Sequence, residues 1–290
     1  MRRGAPSQPD AKRQAPSRRG WKRILSNTWT EIGRDFVVVM AAGVAFFSFL
    51  SVFPAMSTAI SAFGLVADPR TIERQLVALH GLLPPTAMEL LTTQLRTLIA
   101  APQAGLGIGL AVSLLFTFWS ATSGVSTLMS ALTAAYNERE SRSLLTFYAQ
   151  AFALTIGVGA FALISLFLIA VVPAVIAWLP FPQTWRKLIA LIRWPILAAL
   201  VYVALALVYR FAPSREIARW HWLAPGTIAA ALLWLSGSAG FSYYVANFGT
   251  YNEMYGSLGT VVALLMWFYI SAFIVLAGAE LNAEADKARG

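Results

Sequence analysis

MYGSLGTVVALLMWFYISAFIVLAGA, residues 254–279, contains no charged side chain and stops at Glu280. A helix crossing the hydrocarbon of a bilayer needs ~20 mostly apolar residues, and this stretch exceeds that length. Residues 36–67, 97–137 and 143–185 are also free of charge. No single soluble core accounts for so many long apolar runs. The composition agrees: 58% of the 290 residues are hydrophobic and 12% are charged, with a mean hydropathy of +0.65. An ordinary soluble domain carries about 25% charged residues. The expected fold is all-α, a polytopic bundle of about six spans near 36–62, 106–135, 145–178, 188–211, 223–247 and 257–281. Pro54 is expected to kink the first span. The third is overlong and should tilt, bend or project.

Outside the spans, residues 1–20 are rich in Arg, Pro, Ser, Gln and Gly and are expected to be a disordered basic tail. WKRILSNTWTEIGR, 21–34, alternates basic, aromatic and aliphatic groups. It reads equally as a helix lying along the headgroups, anchored by Trp21 and Trp29, or as the first turns of span 1. Residues 63–104 read as two short amphipathic helices, opened by Asp68-Pro69 and by Thr86 with Glu89 and separated by Pro84-Pro85. Residues 286–290 form a second short tail.

The net charge of +9 is concentrated: nine of the 22 basic residues precede position 35. Beside a first span, such a tail acts as a topology signal and a contact to anionic lipid headgroups more often than as a nucleic-acid arm. Specific nucleic-acid binding is not expected. With the N-terminus inside, sixteen Lys and Arg fall on the cytoplasmic side and six on the other. That places both termini in the cytoplasm.

Chemistry-bearing residues are sparse. The chain has no Cys, which removes disulfides, thiolate metal sites and Cys nucleophiles. Its two His, His80 and His221, fall on opposite sides of the membrane and have no metal-ligand partner at helical spacing. Gly105, Gly107 and Gly109 open a span and suit packing rather than phosphate binding. No catalytic residue, metal site or cofactor is expected, and the chain does not read as an enzyme. Two polar clusters remain. On the cytoplasmic side lie Arg34, Asp35, Glu138, Arg139, Arg142, Arg210, Glu280 and Asn282, read as a gate or, with more weight, as an ion-pair collar. On the outer side lie Asn247, Tyr251, Asn252 and Tyr255, beside Glu253, which line a polar cavity or simply form a turn. Glu280 ends an apolar run, and an unpaired carboxylate there either takes a proton or draws the helix end toward water. Arg139 is its first expected partner and Arg34 its second. No deeper acid, base or Arg is expected inside the spans, which weighs against coupled transport of small ions.

Three blocks carry a resemblance: AAGVAFFSFLSVFPAMSTAI (41–60), FWSATSGVSTLMSALTAAYNERESR (118–142) and YGSLGTVVALLMWFYISAFIVLAGAELN (255–282). Together they resemble the YihY/BrkB family of bacterial inner-membrane proteins, which has also carried a ribonuclease BN label. The resemblance covers about residues 25–285, and Gly278 to Asn282 is its most specific piece. It implies a six-helix protein of the inner (plasma) membrane whose members look like candidates for moving lipids or other amphiphiles. A transporter or flippase-like protein is therefore the leading expectation, with membrane lipids as partners and homo-oligomers allowed. A non-transporting scaffold is the alternative, and a membrane ribonuclease is disfavoured. Reporter fusions after Arg142 and after Lys187 are expected to report opposite compartments. A shared compartment would sink the six-span topology.

Overall fold

The computed structural model describes residues 18–66, 103–171, 182–214, 225–247 and 257–288. Within them lie seven α-helices: α1 (Arg18–Arg34), α2 (Val37–Val66), α3 (Gln103–Ala135), α4 (Leu144–Leu166), α5 (Gln183–Phe211), α6 (Pro225–Asn247) and α7 (Ser257–Lys287). All but α1 are long and apolar enough to cross a membrane, over Val37–Thr58, Ile108–Ala135, Leu144–Ile169, Trp194–Phe211, Pro225–Val245 and Val261–Lys287. These six spans match the sequence expectation within a few residues at most ends. Helix α2 runs through Pro54 and α5 through Pro195. The overlong third span changes pitch instead of ending, passing into a π-helical turn at Phe167–Val171. The expected tail before residue 18 and the two short helices of the long loop lie outside the described residues.

Residues 21–34 form a helix of their own. At Phe36 the backbone takes φ 51°, which turns the chain sharply between α1 and α2. A bulky residue with positive φ is uncommon and costs on the order of 1–2 kcal/mol. Helix α1 then packs on the far end of α7, burying Ile24 and Thr28, while Leu25 and Trp29 stay exposed. The Asn27 Nδ2 group donates to Glu284 Oε2 at 3.0 Å and ties the two helices together.

Span ends are closed by local chemistry. Asn137, with φ 56°, ends α3: its N–H donates to Ala134 O at 2.7 Å, and the Glu138 N–H donates to Thr133 O at 3.0 Å. This paired arrangement uses the carbonyls left over at a helix C-terminus, and Asn tolerates the left-handed conformation it needs. Ser143 caps α4 by accepting from the Thr146 N–H at 3.3 Å.

The helices α3 end, α4 start, α5 end, α6 start and α7 end meet at one end of the bundle, the one where α1 sits. The core is concentrated there. Buried side chains such as Val37, Ala41, Leu132, Ala151, Tyr209 and Leu276 all lie in the half of their helix nearest this polar end. The opposite halves leave large apolar groups such as Phe53, Leu115, Leu163, Leu191 and Tyr243 exposed. Small residues make the packing possible, because apolar helices in lipid gain mainly from close van der Waals approach. Helices α6 and α7 cross at Gly226 and Gly278. A Cβ on Gly226 would collide with the Gly278 carbonyl oxygen and with Asn282, and a Cβ on Gly278 with the Tyr209 hydroxyl and Ala230 Cβ. Gly157 and Gly159 on α4, by contrast, have open space where a Cβ would go. Gly226→Ala and Gly278→Ala are each expected to destabilise the bundle by roughly 1–3 kcal/mol through overpacking. Gly157→Ala should be neutral or stabilising by about 0.5–1 kcal/mol, since only the helix-propensity gain remains. Thermal melts in one detergent check this, and equal effects at the three positions would refute the crossing as the tight point.

Candidate functional site

The polar end gathers almost all described polar side chains of the cytoplasmic-side set anticipated from sequence, in three layers. The first is the α6–α7 crossing. Asn282, 3% exposed, projects from α7 to the first turn of α6. Its Oδ1 accepts from the Gly226 N–H at 2.8 Å, and its Nδ2 donates to Thr227 Oγ1 at 3.3 Å. The first N–H groups of a helix have no partner within it, so Asn282 acts as a cap supplied by a neighbouring helix. Beside it, the Tyr209 hydroxyl donates to the Val275 carbonyl at 2.7 Å and fixes α5 to α7.

The second layer is the connection between α3 and α4. Arg142 grips Glu140 with two bonds, from Nε to Oε1 at 2.8 Å and from Nη2 to Oε2 at 2.7 Å. The same guanidinium donates to Gln150 Oε1 at 2.7 Å and to the Ala212 carbonyl at 3.2 and 3.1 Å, and it lies over the Phe147 ring. Gln150 Nε2 donates to the Phe211 carbonyl. Arg142 therefore answers the carbonyls at the C-terminus of α5 with a positive charge, where the helix dipole favours one. Hydrogen bonding to Arg142 holds the Glu140 carboxyl below its usual range. Its contribution to stability is present at neutral pH and is lost as pH falls through that lowered value. Ser214 completes the layer: its Oγ lies 3.1 Å from Ser141 Oγ, and its N–H donates to Thr133 Oγ1 at 3.2 Å.

The third layer is acidic. Glu284 is held by Asn27 and, at 2.7 Å, by Lys287 Nζ. Arg34 pairs with Glu31 on its own helix at 3.0 Å. Glu280 is 0% exposed, and neither of its carboxylate oxygens has a hydrogen-bond donor. The expected partners are not there. Arg34 is spent on Glu31, and Arg139 sits exposed and makes no ion pair among the described residues. Both candidates lie at the right end of the bundle, but Glu280 is on the inward face of α7 and they are on the rim. Asp35 lies at the corner between α1 and α2, both of which pack on α7. One oxygen of Asp35 is likewise buried without a donor. Ion pairs join Arg142 to Glu140 and Lys287 to Glu284, while Glu280 is a buried acid that the sequence reading did not expect inside the bundle.

Of the remaining anticipated residues, Glu138 is exposed and Arg210 lies over the Phe211 ring. On the other side, Asn247 ends α6, whereas Tyr251, Asn252 and Tyr255 lie outside the described residues, as do His80 and His221. Sequence reasoning missed the hydroxyl layer of Thr133, Ser141 and Ser214, whose members are far apart in the chain. It also gave Asn282 no specific role, although an Asn two residues after a buried acid was a visible signal.

Comparison with known proteins bears on this architecture. Residues 28–290 match the family described as virulence factor BrkB. The ribonuclease-like protein YfkH of Bacillus subtilis is 27% identical over 85% of this chain and 89% of its own length. UPF0761 membrane proteins of Tolumonas auensis and Rhodospirillum centenum are 42% and 35% identical, over 27% and 37% of this chain. Those two matches span only 25% and 24% of the relatives' own lengths. No solved structure matches. The six spans, the Asn-Glu-Arg-Glu corner and the Gly-Ala-Glu-Leu-Asn seal thus sit on a chain that belongs to the BrkB family of membrane proteins.

Proposed function

We propose that this protein moves a lipid or another amphipathic molecule across a bacterial inner membrane, with the polar end facing the cytoplasm. The observation that carries the reading is the uneven packing of the bundle. Most buried side chains among the described residues belong to the half near the polar end, where glycine crossings and hydrogen-bonded caps close the structure. The other half exposes large apolar side chains such as Leu115, Leu163, Leu191 and Tyr243. A bundle sealed at one end fits one state of an alternating-access carrier. An amphiphile needs apolar walls for its tail and no dedicated polar pocket for it.

Orientation rests on the sixteen-to-six bias in basic residues. Helix α1 supports it. One face is docked on α7, while Leu25 and Trp29, 56% and 75% exposed, are free to enter the acyl boundary and Lys22 and Arg23 to meet anionic headgroups. A nuclease reading gains no support at the polar end, whose Arg142 is already committed to Glu140, Gln150 and Ala212.

Protein extracted in mild detergent is expected to carry a lipid class enriched over the bulk membrane, identified by mass spectrometry. In vesicles it should speed transfer of that class between leaflets. Absence of both enrichment and transfer would favour a scaffold, and RNA cleavage that tracks the protein and vanishes in a point mutant would favour the enzyme.

A further inference from the structure

We propose that α1 lies in the headgroup layer at the polar end and binds anionic phospholipid there, with Leu25 and Trp29 in the acyl boundary and Lys22 and Arg23 on the phosphates. Lipid charge then helps to hold α1 on α7. The inference goes beyond the transport reading and stands whether or not the protein moves lipid.

The depth of α1 comes from α7. The uncharged run of α7 ends at Ala279, and α1 meets it at Glu284, which accepts from Asn27 at 3.0 Å. Five residues of helix place that contact about 7.5 Å beyond the run. The headgroup layer on each side of the hydrocarbon is roughly 5–8 Å thick. The rotation of α1 comes from its own side chains. Ile24 and Thr28 are buried and define the docked face. Ile32 packs on the core, which marks the direction toward the hydrocarbon. At about 100° per residue, Leu25 and Trp29 stand within roughly 60° of Ile32, and Arg23 stands about 180° from it. Leu25 and Trp29 are exposed on that apolar edge.

Charge selects the lipid. Residues 18–34 hold Arg18, Arg19, Lys22, Arg23 and Arg34 against a single acid, Glu31. Glu31 is bonded to Arg34 on the same helix. Lys22 and Arg23 are exposed and make no ion pair among the described residues. Thr30, on the same side as Arg23, turns its hydroxyl to the Ser26 carbonyl at 3.1 Å. The outer side of α1 thus offers cations that no described side chain neutralises. A phosphodiester with a net negative charge supplies the missing anion, whereas a zwitterionic headgroup brings its own cation. Apolar groups at the acyl boundary with Lys and Arg above them are the pattern of a helix lying in the interface. An acidic soluble partner would meet the cations but not Leu25 and Trp29, which point toward the hydrocarbon.

The chain has no cysteine, so single cysteines report on each side of α1. Full-length Leu25→Cys and Thr30→Cys are placed in phosphatidylcholine nanodiscs, with and without added phosphatidylglycerol, and treated with a water-soluble maleimide. Leu25→Cys is expected to be protected in the anionic discs, and Thr30→Cys to label in both. Added salt should weaken the protection. Combining Leu25→Cys with Lys22→Gln and Arg23→Gln should lower it about 30-fold, since each cation near an anionic surface is worth about a factor of five. Lys22→Arg with Arg23→Lys keeps the charge and should retain it. In neutral detergent, phosphatidylglycerol should raise the thermal midpoint of the native protein, and of Lys22→Gln/Arg23→Gln much less. Equal labelling of the two cysteines in anionic discs, protection indifferent to lipid charge, or a midpoint shift undiminished by the double substitution would each overturn the proposal. Protection that instead grows with the number of protein copies per disc would assign the face to a second copy and overturn it too. Neither readout measures lipid movement, so a failure here leaves the transport reading to its own test.

Discussion

One side chain, Asn282, holds the polar end together, because it solves a problem that lipid makes acute. The first turn of α6 must begin close to α7, and its free N–H groups have no water to bind once packed there. An unanswered backbone group in such a setting costs several kcal/mol. Asn282 supplies the acceptor from α7, at 2.8 Å from the Gly226 nitrogen. That requires the two backbones to approach so closely that both Gly226 and Gly278 lack room for a Cβ. The approach in turn brings Tyr209 and Ala230 onto the same spot and draws α5 into the seal. Capping, glycine packing and the buried tyrosine are one constraint expressed on three helices.

Arg142 does for α5 what Asn282 does for α6, with the opposite polarity. A helix C-terminus presents carbonyls, and a guanidinium with five donors covers the Ala212 carbonyl while still holding Glu140 in two-point contact. The two devices are complementary. A neutral amide sits where α6 starts within the bundle, and a charged group sits on the half-exposed α3–α4 connection, where water lowers the cost of carrying charge.

How much of this was legible follows from the range of the interactions. Apolar runs longer than a bilayer is thick announce spans one at a time, so the six helices could be placed within a few residues. The N-terminal segment was ambiguous between a surface helix and the start of span 1, and only the left-handed turn at Phe36 decides it. Nothing in a Phe signals such a turn, since bulky side chains disfavour it. The polar set at one end of the bundle was legible as a set, because charges at span ends must share a depth. Its pairings were not. Depth does not say which face of α7 Glu280 occupies, and a carboxylate was assumed to seek an arginine. In the structure Arg34 and Arg142 are paired locally, with Glu31 and Glu140, each within three residues of its partner, and Arg139 stays exposed.

The docking of α1 on α7 also bears on how the protein is made. Asn27 and Glu284 are 257 residues apart, yet they share a hydrogen bond. At roughly 5–20 residues per second of synthesis, α1 waits on the order of 10–50 s before its partner exists. During that interval Ile24 and Thr28 have no α7 to cover them, and the membrane surface or a chaperone is their only shelter. The last turns of α7 thus act as an assembly checkpoint: a nascent chain lacking them has six hydrophobic segments to insert but nothing to close the end where they converge. Surveillance proteases that probe helix ends would meet an open bundle in such a chain, and a sealed one only after α7 is complete.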